Sequence, residues 1–269
     1  MQGNSILLTE SENIKMKDKL YTIPLTEAFR AEDECPFCYI ERQLEQDALN
    51  FTLGSSSSYM ESDIREQTDE MGFCKEHFKK MYKYGNSLGN ALILQTHFRK
   101  RNQELTKQLQ AFKPEKSGMF GKFKKTKEDG FDKISQWIAQ SNKTCFVCDH
   151  IKNDYDRYLD TFFYLFKNTP EFKELVKNSK GFCMHHFGEL TNLVSEKLND
   201  TQAEEYAKLI FPLMIENMNR LEEDINWLVD KYDYRNANAD WKNSKDALQR
   251  GMQKIKGGYP ADIDYQQNR

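Results

Sequence analysis

Apolar residues recur along this chain at three- and four-residue spacing, and sustained two-residue alternation is absent. The segment YIERQLEQDALNF places Ile40, Leu44 and Leu49 on one stripe among charged residues. In DHIKNDYDRYLDTFFYLF the stripe is Ile151, Tyr155, Tyr158, Leu159, Phe162 and Phe163. The longest run, EEYAKLIFPLMIENMNRLEEDINWLVDKY, carries Tyr206, Ile210, Leu213, Met214, Met218, Leu221, Ile225 and Leu228 at bundle spacing. A shorter counterpart is NSLGNALILQTHFRKRNQELTKQLQAF. The pattern predicts an all-α protein.

Terminus signals sharpen the elements. Thr169 followed by Pro170 opens one helix, and Ser58–Glu61 and Thr201–Glu204 have capping-box spacing. Pro212 is expected to kink the long helix. A last short helix, DALQRGMQKI, is expected to dock through Trp241, Leu248, Met252 and Ile255.

The six cysteines turn this helical pattern into a duplication. Cys35 and Cys38 form CPFC, and Cys74 opens GFCKEHF; Cys145 and Cys148 form CFVC, and Cys183 opens GFCMHHF. An offset of 110 relates the first pair to CFVC, and an offset of 109 carries Cys74 and His77 onto Cys183 and His186. Each Cys-x-x-Cys begins a helix, and each Gly-Phe-Cys-x-x-His begins another. Each half therefore offers three thiols and an imidazole, the donor set of a closed Cys₃His zinc site. The expected ligands are Cys35, Cys38, Cys74 and His77 in the first half, and Cys145, Cys148, Cys183 and His186 in the second. Two structural zinc ions follow. Positive helix N-termini would favour the thiolates. Two other readings use the same cysteines, as ordinary buried hydrophobes or as redox dithiols. Of the remaining histidines, His185 is a fallback ligand, while His97 and His150 lack counterparts in the other half.

The repeats organise the chain as residues 1–112, a basic linker at 113–127, residues 128–235 and a polar tail at 236–269. A pseudo-twofold pair of repeats, each stapled by its own zinc, is expected to pack as one helical bundle. The linker KPEKSGMFGKFKKTK holds six lysines against one glutamate. It is a candidate nucleic-acid contact through Lys122, Lys124 and Lys125, although net charge −3 and a pI of about 6.0 supply no global footprint for one.

Residues Tyr59, Glu61, Asp63 and Arg65 have no match in the second half, so a ligand pocket or enzyme site would be sought there first; the alternative is a Glu61–Arg65 ion pair on a helix surface. The N-terminal apolar run, Ile6 to Leu8, is too short for a signal peptide, and no segment reaches membrane-spanning length. The expected compartment is the cytoplasm, where patterned cysteines are more often metal ligands or redox centres than disulfides. There is no P-loop, dinucleotide turn, nucleophile elbow or HExxH motif. The leading expectation is a zinc-stapled helical protein that binds an unknown protein or small molecule. An enzyme, a nucleic-acid binder and a thiol or zinc redox sensor are the alternatives.

The paired CPFC/CFVC and GFCxxHF phrases, with YMESDIRE before the first GFC and GNALIL after it, resemble a bacterial family designated a domain of unknown function. Its members are sometimes titled ABC-transporter substrate-binding proteins. The resemblance spans roughly residues 20–255 and implies no established activity.

Overall fold

Eleven α-helices and no strand occur among the described residues of the computed structural model, which are 10–56, 58–112 and 130–260, with backbone alone for 10–19 and 130. The chain is all-α. Helix α1 spans Glu10–Arg30, α2 Pro36–Leu53, α3 Ser62–Met71, α4 Lys75–Tyr84 and α5 Ser87–Ala111. After the undescribed linker come α6 (Gly130–Ser141), α7 (Phe146–Asn168), α8 (Pro170–Lys177), α9 (Met184–Lys197), α10 (Asp200–Asp230) and α11 (Ala247–Lys256). The basic segment 113–127, with Lys122, Lys124 and Lys125, lies outside the described residues.

The described chain divides into two compact units, and neither is a sequential half. One unit takes residues 10–44 and 153–260, the other 45–112 and 130–152. The boundaries fall inside α2 and α7.

The core of the first unit is aromatic. Phe162 is fully buried, and its ring centroid lies within 6.2 Å of those of Phe29, Phe37, Phe163, Phe166, Phe172 and Phe182. Edge-to-face pairs at such distances add to the area term. Around them pack Leu25 and Ala28 of α1, Ile40 of α2, and Tyr206, Ile210, Leu213 and Met214 of α10. Helix α1 is not marked by the periodicity, because its buried stripe, Leu25, Ala28 and Phe29, is short and lies beyond Pro24. The second unit closes around Ala48, Leu49, Leu53, Ile64, Phe73, Met81, Tyr84, Ile93, Phe146 and Val147.

Two terminus expectations shift. The capping box of α10 is formed by Asn199 and Gln202, not Thr201 and Glu204. Asn199 comes first, and its side-chain Oδ1 already accepts the Gln202 N–H at 3.0 Å, so the helix starts two residues earlier. Ser58 opens a 3₁₀ turn, Ser58–Met60, and α3 begins only at Ser62 behind Glu61, whose side chain caps nothing. Helix α10 runs through Pro212 as one 31-residue element.

Helix α11 docks by a face turned about 100° from the one expected. Leu248, Met252 and Ile255 are about half exposed, while Ala247, Gly251, Gln253 and Lys254 are buried. The small residues allow close approach, since a Cβ at Gly251 would stand 2.7 Å from the Ile225 Cδ1. The polar pair finds buried partners: Gln253 donates to Asp33 at 2.5 Å, and Lys254 donates to the Glu34 carbonyl at 3.0 Å. Satisfied polar groups decide this interface, which an apolar stripe could not reveal.

Candidate metal centres

Four helices begin in the same way. Cys35, Cys74, Cys145 and Cys183 each sit immediately before the first residue of α2, α4, α7 and α9. In each case the carbonyl of that cysteine accepts the N–H four residues on, from Tyr39, Phe78, Asp149 and Phe187, at 2.9–3.2 Å. The second donor of each motif, Cys38, His77, Cys148 or His186, is the third helical residue. N-cap and third residue share a face, so both side chains of each motif converge at the positive end of their helix.

Glycine prepares two of these starts. Gly72 and Gly181 have φ of +62° and +70°. A Cβ on Gly72 would lie 2.7 Å from the His97 ring, and one on Gly181 would lie 3.1 Å from the Met214 sulfur. The phenylalanine that follows is buried in both, and the N-cap cysteines share nearly one backbone conformation, φ −72°, ψ 164° at Cys74 and φ −71°, ψ 161° at Cys183. His97 thereby has a structural role, with Nδ1 3.0 Å from the Asp69 carbonyl.

The motifs meet in two clusters, and here the expected pairing is corrected. Cys35 and Cys38 join Cys183 and His186 in the first unit; Cys74 and His77 join Cys145 and Cys148 in the second. Each Cys-x-x-Cys takes the Cys-x-x-His of the other sequence half. The reason lies in helix rigidity. His77 rests beside Glu45, ten residues along α2 from Cys35, and at 1.5 Å per residue that is about 15 Å of continuous helix. The second half repeats the arrangement: the His186 ring lies 5.9 Å from Tyr155, ten residues along α7 from Cys145. Each histidine thus packs on the body of its own half's helix, which carries that helix's thiols out of reach.

The first cluster is fully buried. His186 Nδ1 faces Cys35 Sγ at 3.2 Å, Cys38 Sγ at 3.5 Å and Cys183 Sγ at 3.2 Å, and Cys38 and Cys183 sulfurs are 3.7 Å apart. In the second, His77 Nδ1 faces Cys74, Cys145 and Cys148 sulfurs at 3.3, 3.2 and 3.3 Å, with Cys74 and Cys148 sulfurs 4.0 Å apart. A tetrahedral zinc with ~2.3 Å sulfur and ~2.0 Å nitrogen bonds requires donor separations of about 3.8 Å between sulfurs and about 3.5 Å between sulfur and nitrogen. Both clusters fit that frame to within a few tenths of an ångström, and Cys₃His is a donor set suited to zinc.

The electrostatics fit as well. Burial disfavours the His77 imidazolium, but Cys145 and Glu45 outweigh it and push its pKa up to about 10. Burial raises the Cys145 thiol, and the His77 contact and backbone N–H groups reverse this and bring it down to about 6. In the first cluster, burial lifts Cys35, hydrogen bonds from Cys35 and Cys38 hold Cys183 far below the ordinary thiol value, and His186 rises to about 12 despite burial because of Cys183, Cys38 and Glu41. Each cluster draws positive charge to its centre, and a divalent ion held there would supply it with the imidazole neutral.

Beyond the donors stand groups that the sequence reading missed. Glu45 Oε1 lies 3.0 Å from His77 Nε2, and Lys80 holds that carboxylate at 2.5 and 2.6 Å. Glu41 Oε2 lies 3.3 Å from His186 Nε2. Both glutamates come from α2, four residues apart. A carboxylate on the far nitrogen fixes the tautomer that leaves Nδ1 free to ligate. They were hidden among the many acidic residues of a helix whose charged face looks merely solvated. Glu34, buried next to Cys35, is held by Arg220 at 2.5 Å and Arg250 at 3.4 Å.

The remaining candidates do not join the clusters. His185 is exposed, its ring centroid lies 5.0 Å from that of His186, and it is within reach of Glu189. His150 stacks on Phe51 with ring centroids 5.3 Å apart. Arg65 donates to the Tyr59 carbonyl at 2.9 Å, and no ion pair joins it to Glu61 among the described residues. Glu61 and Asp63 are exposed and Tyr59 packs on the second core.

No described helix is long and apolar enough to cross a membrane. No solved structure matches the chain. It is 24% identical over 214 residues to the uncharacterized 23.9 kDa protein in the xynA 3′ region of Caldicellulosiruptor sp. (strain Rt8B.4), which covers 78% of this chain and 88% of that protein. Residues 16–262 match the family of unknown function DUF6062, and the chain belongs to that family.

Proposed function

We propose that this chain is a zinc-stapled helical binding protein of the cytoplasm, with one structural zinc in each compact unit and no chemistry at either metal. The observation that carries this reading is the closure of the donor shells. Three sulfurs surround one imidazole nitrogen in each cluster at 3.2–3.5 Å. Four protein donors leave no position for water or substrate, which is the mark of a structural rather than a catalytic zinc. Each ion joins two helix starts that are distant in sequence, so its binding energy becomes folding energy. The units then serve as rigid helical supports for a protein or small-molecule partner. Elemental analysis of the purified chain should give two zinc ions, and prolonged chelation should lower its melting temperature sharply. A metal-free preparation as stable as the zinc-bound chain, or a hydrolytic or transfer activity that depends on the metal, would overturn this reading.

A further inference from the structure

The two clusters share one donor set but differ in what covers them. All four donors of the Cys35–Cys38–Cys183–His186 cluster are inaccessible. In the other, Cys148 is exposed and Cys74 is partly so.

The difference traces to α11, which belongs to the first unit and has no counterpart among the described residues of the second. Gly257, at φ +83°, follows α11 directly, and its backbone lies against the thiols: a Cβ there would stand 3.5 Å from Cys183 Sγ and 3.6 Å from Cys38 Sγ. Three residues earlier, the buried Lys254 ammonium donates to the Glu34 carbonyl and to the Lys180 carbonyl. Those residues immediately precede Cys35 and Gly181, so one lysine ties the two donor-bearing segments together.

In the second unit the same two segments are joined by direct hydrogen bonds. The Phe146 N–H donates to the Gly72 carbonyl at 2.9 Å, and the Thr144 hydroxyl donates to the Met71 carbonyl at 2.7 Å. The position equivalent to Phe146 is Pro36, which has no N–H to give, and the position equivalent to Thr144 is Glu34. Lys254 supplies the missing donor and brings α11 over the sulfurs.

We infer that the Cys74–His77–Cys145–Cys148 centre is a peroxide-responsive zinc-release site, whereas the clamped centre is permanent. The inference rests on the zinc reading above and assigns Cys148 as the reacting group. A bound zinc would hold all three sulfurs as thiolates, so exposure decides which is oxidised, and Cys148 is the exposed one while Cys145 is buried. The Cys148 thiolate attacks the O–O bond of a peroxide; sulfur becomes a sulfenic acid, and the departing oxygen leaves as water. The Cys74 thiolate, 4.0 Å away, then attacks that sulfur, expels hydroxide and closes a disulfide. Two thiolates give up two electrons, and hydrogen peroxide with two protons leaves as two waters. Zinc, with two of its four donors gone, is released.

The test uses the whole chain, with its zinc counted first, so that a chain without zinc overturns the structural-zinc reading before peroxide is added. Hydrogen peroxide is then supplied in small excess and zinc is followed with a chromogenic chelator. One equivalent should leave in a fast phase and the other at least ~tenfold more slowly, with peptide mapping placing the first disulfide at Cys74–Cys148. Lys254→Met should speed the slow phase and leave the fast one unchanged; Gly257→Ala should do the same if the lysine variant does not fold. Release of both ions at one rate, or a first disulfide among Cys35, Cys38 and Cys183, would overturn the inference.

Discussion

Glu45 holds His77 from behind: its carboxylate oxygen lies 3.0 Å from Nε2, which turns Nδ1 toward three sulfurs. Lys80 fixes the same carboxylate. Outer partners of ligating histidines are commonly worth 10–100-fold in metal affinity. Glu45→Gln should therefore weaken one zinc by roughly that factor and leave the other untouched. Competition titration with a zinc chelator checks it, and equal weakening of both ions would argue against this role.

Acid and alkali should act differently on the chain with and without metal. The Cys145 thiol falls from 9.0 to about 6, so its stabilisation is complete above the ordinary thiol value and lost as the pH falls through about 6. His77 rises from 6.5 to about 10, so its stabilisation is complete below 6.5 and lost as the pH rises through about 10. Chelated protein should be most stable between about 6 and about 10. Saturating zinc should abolish the alkaline limb, because the bound imidazole is neutral, and keep the acid limb, because protons compete for thiolates. Thermal melts across pH, with and without zinc, separate the two.

Gly72 should tolerate alanine poorly. Its φ of 62° and ψ of −156° fall in a region that is nearly glycine-only, and the new Cβ would meet the His97 ring at 2.7 Å. Gly85 is the control, left-handed at φ 92° with its nearest neighbour 4.0 Å away. Denaturant titration should show Gly85→Ala costing about 1–2 kcal/mol and Gly72→Ala clearly more.

Phe162→Ala removes the ring that six other aromatics surround in the first unit. A loss of about 3–5 kcal/mol is expected from a fully buried phenylalanine. Calorimetry should place the loss in that unit, with the zinc of the second unit retained.

Much of this was legible in advance, and the particular failures share a cause. Helical periodicity marked α2, α7 and α10 because their buried stripes are long and apolar. The cysteine offsets marked the eight residues that meet in the two clusters because Cys-x-x-Cys and Cys-x-x-His recur with matching spacing. What sequence spacing could not show was which halves of the donor sets meet, since that depends on the length of α2 and α7 as rigid rods. Glu45, Glu41 and Lys254 were invisible for a related reason: a charged residue on a helix looks solvated until its buried partner is known. The face of α11 was misjudged because Gln253 and Lys254 dock by hydrogen bonds to Asp33 and Glu34 rather than by area.

The exchange of motifs between sequence halves is tested most directly by counting zinc in two paired variants. Cys35→Ser with Cys183→Ser damages a single cluster, and Cys35→Ser with Cys74→Ser damages both. Elemental analysis should find one zinc lost in the first double variant and both lost in the second. The reverse outcome, two lost in the first and one in the second, would mean that each half binds its own zinc and would contradict the structure.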